Sequence, residues 1–263
     1  MYQLKQVPSE AKIRRYLRRI VFGSNLCCPA CRCRSVVTYE DRYRCRTCRE
    51  KFSLTSHTWL GDMKLSYQSF WLLLWCWTTM IPVRQAMALT HRSEDTVRHW
   101  YDQFRSHLPE DPVILAKLVQ LDEMYAKERA LLMGKQPGTR KLAWEVLTTT
   151  NVQRHHATYF LQQHVKPGTK LRTDGAAIYR TINQWWPVQH AFDIHRKFEF
   201  SQTSEIEGIF GNLRTFIRRM YHHVTPEKFP GMVSEFCFRF SSPEMFKNPL
   251  YYLEKTLRLV PID

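Results

Sequence analysis

The sequence predicts a multidomain chain: a small metal-stapled module and a helical module in front, and an α/β domain behind. Three observations carry this. Two Cys-x2-Cys pairs stand thirteen residues apart near the N-terminus, residues 57–111 show helical periodicity broken at turn signals, and from residue 112 short apolar, strand-like runs take over, two of them closing on an aspartate. At 263 residues the chain can bury a core and still carry appended modules.

Composition narrows the partner. The 39 Lys and Arg against 24 Asp and Glu leave a net charge of +15, which favours a polyanion over an acidic small molecule. Nucleic acid ranks first and an anionic membrane surface second, beside the plain alternative of a basic solvated surface. Residues 1–64 hold 14 Lys and Arg and 5 Asp and Glu, so +9 of the charge sits in the first quarter of the chain. The longest apolar run, Phe70 to Trp77 and loosely on to Val83, falls short of the roughly 20 residues a membrane span needs. No apolar signal segment opens the sequence, so a reducing, cytoplasmic setting without a membrane partner is expected.

Residues 1–24 form a basic N-terminal helix. Ser9 and Glu10 open it, Ile13, Leu17, Ile20 and Val21 recur at helical spacing, and Gly23 marks its end. Arg14, Arg15, Arg18 and Arg19 cover the remaining surface, either contacting phosphates or solvating a helix packed on the next module; charge pattern alone does not separate the two.

Residues 25–56 read as a zinc ribbon. Cys28 with Cys31, and Cys45 with Cys48, each offer two thiolates on a tight turn to a tetrahedral zinc, and Val36, Val37, Tyr39 and Tyr43 flank a hairpin between them. So small a segment has no sufficient hydrophobic core, and zinc binding of order 10 kcal/mol supplies the missing stability. Disulfides are the competing use of these cysteines and are disfavoured in a reducing compartment. A register through Cys27 is a lesser alternative. Arg32, Arg34, Arg42, Arg44, Arg46 and Arg49, with Tyr39, Tyr43 and Phe52 among them, make a basic, aromatic surface suited to DNA.

Residues 57–111 form a helical module with a helix-turn-helix-like pattern. After a linker-like stretch, Ser53 to Lys64, come an apolar helix around Phe70 to Trp77, a helix from Val83 to Leu89, a turn at Thr90 to Arg92, and a helix capped by Ser93. Val97, Trp100, Tyr101 and Phe104 face the core. Arg92, Thr96, Arg98, His99 and Arg105 then fall nearer the outside, for major-groove contact or as the surface of an ordinary helical hairpin.

Residues 112–263 carry the strands. Val113 to Met124 is a β-type run in which Asp122 and Glu123 should face opposite sides, so that only one enters a shared site. Ala130 to Met133 and Leu142 to Thr149 pair around the turn GKQPGT; a helix over Gln153 to His164, a strand over Lys170 to Asp174, a helix through Ile182 and a strand at Val188 to Phe192 follow. The helix Ser204 to Tyr221 puts Ile206, Phe210, Leu213 and Ile217 on one stripe, with Glu207 and Arg214 two turns apart on a neighbouring face. Phe229, Val233, Phe236 and Phe240 give a further packing helix, and Tyr251 to Leu259 a terminal one within the same domain. Strands in a row, a helix, a strand ending in an acid and a late helix bearing another form the order of an RNase H-like α/β domain. Asp122, Asp174 and Glu207 converging would suit two Mg²⁺ or Mn²⁺ ions about 4 Å apart in an in-line phosphoryl transfer. Asp193, His195 and the pair His222–His223 are further candidates for contacting DNA or supporting the metal ligands.

The segments CPAC…CRTCREKFSLTS, LDEMY, TDGAAIY, SEIEGIFGNLRTFI and YHHVTPEKFPGMVSEFCFRF resemble the bacterial insertion-sequence transposases of the DDE type that carry an N-terminal zinc ribbon. That resemblance implies Asp122 and Asp174 as the first two acids, Glu207 as the third, and Arg214 in place of a customary lysine. It also implies cleavage at transposon ends and transfer of the 3′-OH into target DNA, with Mg²⁺, by a homodimer or higher multimer on double-stranded DNA. Relatives often show His-x-Asn-x-x-Glu before the last acid; here those places hold Gln202 and Ser204. A domesticated DNA-binding protein without catalysis, and a metal-dependent nuclease without strand transfer, are the alternatives.

Overall fold

The computed structural model describes residues 7–40, 42–109, 112–192 and 204–259. In chain order the elements are α1 (Glu10–Phe22), β1 (Val36–Tyr39), β2 (Arg42–Cys45), β3 (Lys51–Phe52), α2 (Tyr67–Thr78), α3 (Val83–Thr90), α4 (Glu94–Ser106), β4 (Leu118–Ala126), β5 (Arg129–Lys135), β6 (Leu142–Leu147), α5 (Arg154–His164), β7 (Lys170–Thr173), β8 (Gln189–Phe192), α6 (Ser204–Tyr221), α7 (Phe229–Ser241) and α8 (Pro249–Thr256). Asp193, His195 and Gln202 lie outside the described residues. The chain divides into two compact units, Met1–Pro109 with Glu244–Asp263, and Glu110–Pro243.

In the first unit the Ser9 hydroxyl caps α1 by accepting from the Lys12 N–H, and Ile13, Leu17 and Val21 bury its apolar stripe. Glu10 does more than suit a helix start. Its carboxylate accepts the N–H groups of Tyr67 and Gln68, both at 3.0 Å, and so helps cap α2 alongside Ser66. β1, β2 and β3 form the small antiparallel ribbon sheet, with Phe52 buried between Phe22 and Tyr43. The segment expected to be a linker, 53–64, is instead folded in: Leu54 and Leu60 are buried, and the Thr58 hydroxyl donates to the Thr55 carbonyl at 2.8 Å. Apolar residues set among Ser and Thr let it turn locally while still feeding the core.

α3 and α4 meet at His91, whose φ of 51° makes the tight turn, and the Ser93 hydroxyl accepts from the Thr96 N–H to open α4. Arg105, expected outside, is 7% exposed and paired with Asp102 at 2.5 Å, because Phe104 and Tyr101 draw that face of α4 into the core. α8, expected to complete the strand-bearing domain, belongs to this unit: the Tyr252 hydroxyl donates to the Phe104 carbonyl at 2.7 Å and its ring packs on Trp59 and Trp77. Among the described residues no helix is long and apolar enough to cross a membrane.

The second unit is an RNase H-like domain. Its sheet runs β6-β5-β4-β7-β8, with β4, β5 and β6 antiparallel neighbours and β7 and β8 parallel to β4. α5 makes the crossover that a parallel return demands. It packs Ala157, Phe160 and Leu161 on Val119, Leu121, Leu132, Ala143 and Leu171. Gly134 permits this approach, since a Cβ there would come within 2.8 Å of Leu115 and 3.1 Å of Phe160. On the opposite face α6 lies over β4 and β5, and α7 over β6. The helix expected after Gly175 is absent from the described residues. Two short 3-10 turns, Ala177–Tyr179 and Ile182–Gln184, replace it, because the Asp174 carboxylate accepts the Ala176 N–H and burial pulls Tyr179 and Ile182 into the core.

Candidate active site and zinc centre

β4 and β7 run parallel in a register that pairs Leu118 with Lys170 and Gln120 with Arg172. Continued two residues, the same offset sets Asp122 opposite Asp174. Asp122 stands midway along β4, two residues past the last β4–β7 pair, and Asp174 directly follows β7; their carboxylates meet a third, Glu123, with ligand oxygens of all three within 4.8 Å of one another. The expectation that only one of Asp122 and Glu123 enters the site is therefore overturned. Strand alternation does place Glu123 on the α5 side. The β4–β7 ladder has ended at Gln120, however, and with no β7 residue paired beside it the Glu123 carboxylate still comes within reach of both aspartates. The buried hydroxyl of Tyr179 donates to the Glu123 carboxylate and fixes it there.

The cluster is electrostatically strained. Burial, aided by the charges of Glu123, Asp174 and Glu207 and opposed by the Glu123 N–H donating at 2.8 Å, pushes Asp122 up to about 7. Glu123 is also raised, chiefly by burial. Three oxygen donors, of which Asp122 and Glu123 are raised by burial, fit a hard cation, which would favour the ionised form of those two. Glu207 is exposed on α6 and lies outside the tight group, yet it is near enough for its charge to act on Asp122. Arg214 is exposed two turns farther along α6.

A second buried pair, missed from the sequence, governs where α6 begins. Gln120 and Lys135 are cross-strand partners, 3% and 2% exposed. Gln120 accepts the Ile206 N–H at 3.2 Å, while the Lys135 ammonium faces the Glu205 carboxylate at 3.6 Å. The helix that carries Glu207 is thus tied to the strand that carries Asp122. A glutamine amid the apolar residues of VQLDEMY was the available signal.

In the ribbon the sulfurs of Cys28, Cys31, Cys45 and Cys48 lie within 4.8 Å of one another, with Cys28–Cys48 and Cys31–Cys45 each at 3.5 Å. Four thiolates at Zn–S distances of about 2.3 Å require sulfur separations only slightly larger. Backbone N–H groups, first that of Cys48 and then that of Thr47, push Cys45 down to about 6, favouring the thiolate. Cys27 and Cys33 stand outside the group; the Cys33 sulfur accepts from the Thr47 hydroxyl at 3.0 Å and the Ser35 N–H at 3.3 Å.

Of the residues expected to touch DNA, Arg14, Arg15, Arg18, Arg19, Arg32, Arg34, Arg46 and Arg49 are exposed, while Arg44 is half-buried beside the Tyr39 ring. On the helical module Arg92 donates to Ser69 at 3.1 Å, Arg98 pairs with Glu94 at 2.7 Å and the Thr96 hydroxyl bonds Ser93, whereas His99 is exposed.

Two family models match the chain: an ISXO2-like transposase domain over residues 115–241 and a transposase zinc-ribbon domain over residues 8–51. The chain belongs to the insertion-sequence DDE transposases with an N-terminal zinc ribbon. For this DDE-family chain the ribbon match starts at residue 8, so it takes in α1 as well as the metal knuckles. No curated protein matches it. Among solved structures, the simian T-cell lymphotropic virus intasome in complex with PP2A regulatory subunit B56 gamma is 10% identical, covering 64% of this chain and 67% of that one, with a TM-score of 0.36, a likeness too slight to bear on the fold.

Proposed function

We propose that the protein is an active DNA transposase that binds the ends of its element, cleaves there and joins the freed 3′-OH to target DNA. The observation that carries this reading is the strand register that sets Asp122 beside Asp174, with Glu207 close enough for its charge to act on Asp122. Asp122, Asp174 and Glu207 would hold divalent cations, Mg²⁺ or Mn²⁺. Bound there, the ions supply Lewis-acid activation of the attacking oxygen and stabilisation of the leaving oxygen. The protein's own part is positional. Tyr179 holds Glu123 against the two aspartates, the tie from Gln120 to Ile206 sets the start of α6, and Arg214 offers a planar fork to a phosphate beyond Glu207.

The zinc of the ribbon is structural in this reading, since four cysteine sulfurs leave no open coordination position. Arg14, Arg15, Arg18 and Arg19, with the ribbon arginines and with Arg92, Thr96, Arg98 and His99, attach the protein to double-stranded DNA, in which it works as a dimer or higher multimer.

The test uses purified protein, Mg²⁺, a labelled terminal-repeat duplex and a plasmid target. Joined product is expected from the native chain, and Glu207→Ala should abolish it with zinc content and DNA affinity kept. Cleavage without joining would replace the reading with a nuclease. Tight binding of the terminal repeat with neither activity would replace it with a DNA-binding protein.

A further inference from the structure

The face of the sheet that α6 covers at β4 and β5 continues, past β4, onto β7 and β8. There it forms a groove of about 820 Å³ lined by Lys117, Lys170, Arg172, Gln189 and His190, together with neighbouring apolar residues, and no carboxylate among the described residues lines it. Its cations are placed by register. Lys170 pairs with both Leu118 and Gln189, and Arg172 with both Gln120 and Ala191, so these side chains share the face that Gln120 presents to α6. Lys170 and Arg172 alternate along β7 with Asp174 next in the same sequence parity, a step of about 6.6 Å each. That step is of the order of the separation between neighbouring phosphates on one nucleic-acid strand. Lys117, held at a φ of 68°, borders the groove where β4 begins.

An open groove whose charged side chains among the described residues are all cationic, on a strand that leads on to Asp174 of the acidic cluster, suits one kind of occupant. We propose that it binds the sugar-phosphate backbone of the DNA strand that enters the acidic site, with Lys117, Lys170 and Arg172 each neutralising a phosphate and Gln189 donating to a phosphate or sugar oxygen. The inference deepens the transposase reading and rests on it for the identity of the strand. It assigns the sheet domain a DNA contact of its own, separate from the ribbon, α1 and the helix-turn-helix-like pair.

The experiment compares the native chain with K117Q/K170Q/R172Q. Affinity for a labelled DNA duplex is measured against salt without divalent cation, and joining is measured separately with Mg²⁺. Each lost phosphate contact should lower the slope of log affinity against log salt by roughly 0.9, so the triple variant should lose about 2 to 3 from that slope. Its joining should fall mainly through a raised KM for DNA. Zinc content and melting temperature report whether the variant is folded. If it melts early, the conservative K117R/K170R/R172K takes its place and should keep the native slope; loss of the slope there overturns the proposal. An unchanged slope in a folded K117Q/K170Q/R172Q also overturns it, whatever the joining assay gives. A lowered slope with no joining by the native chain would uphold the groove and remove the transposase reading.

Discussion

Tyr179 reaches the acidic cluster through Glu123, and its hydroxyl holds that carboxylate beside Asp122 and Asp174. Groups that orient ligands from behind typically affect metal affinity or activity about 10–100-fold. Tyr179→Phe should therefore raise the Mg²⁺ concentration needed for half-maximal joining within that range, with little change in DNA affinity; an unaltered Mg²⁺ curve would deny Glu123 a part in the site. Asp122 gives a second prediction. Its carboxyl is pushed up to about 7 from the usual 3.8, so between those values the folded chain holds a proton that the unfolded chain has released. Stability from this group is full below the lower value, is lost as pH rises toward 7, and stays lost above it. Denaturant titrations without divalent cations should show the native chain losing more stability than Asp122→Asn across that window, and added Mg²⁺ should restore most above pH 7. Parallel pH profiles of the two proteins would contradict this. Sequence pattern located Asp122 and Asp174, because each closes an apolar run, but it misjudged Glu123. Alternation describes where a Cβ points, not which carboxylates come within reach of one another where the ladder to the next strand has ended.

At the scale of elements, α6 shows how one helix is set in place. Gln120→Leu keeps the volume of a buried side chain while leaving the Ile206 N–H without its acceptor, a change worth about 1–3 kcal/mol. Faster hydrogen exchange in the first turn of α6, with a lowered joining rate and unchanged zinc, is the expected result. Native exchange there would mean that the helix start is held otherwise. Helices and strands with strong periodicity, α1, α4, β4 and α6 among them, were legible from spacing and caps. The 3-10 turns after Asp174 were not, since local pattern favours a helix after Gly175 and only the buried pull on Tyr179 and Ile182 decides against it. The ribbon was legible for another reason: four cysteines carry the whole constraint. Cys45→Ser should release zinc and weaken DNA binding while leaving the unfolding of the sheet domain in place, as followed by calorimetry with metal analysis.

At the scale of the whole molecule the charge of +15 predicts steep salt dependence, with several counterions released per binding event. Affinity that is flat between low and physiological salt would count against phosphate contact as the main attachment. The domain order was readable from composition, but the fate of the segment beyond residue 243 was not. Nothing local in Tyr252 tells which core it will join, because that is fixed by Trp59, Trp77 and Phe104, the nearest of them 148 residues earlier. This return of α8 has a consequence for synthesis. Chains emerge from the ribosome at about 5–20 residues per second and fold N-terminal parts first where they can. Here the front unit must wait with its aromatic core unclosed until residues 244–259 appear, whereas the sheet domain between them already has all its strands. A product interrupted just after α7 would keep every acid of the cluster and lack Tyr252, a finished blade on an unfinished handle.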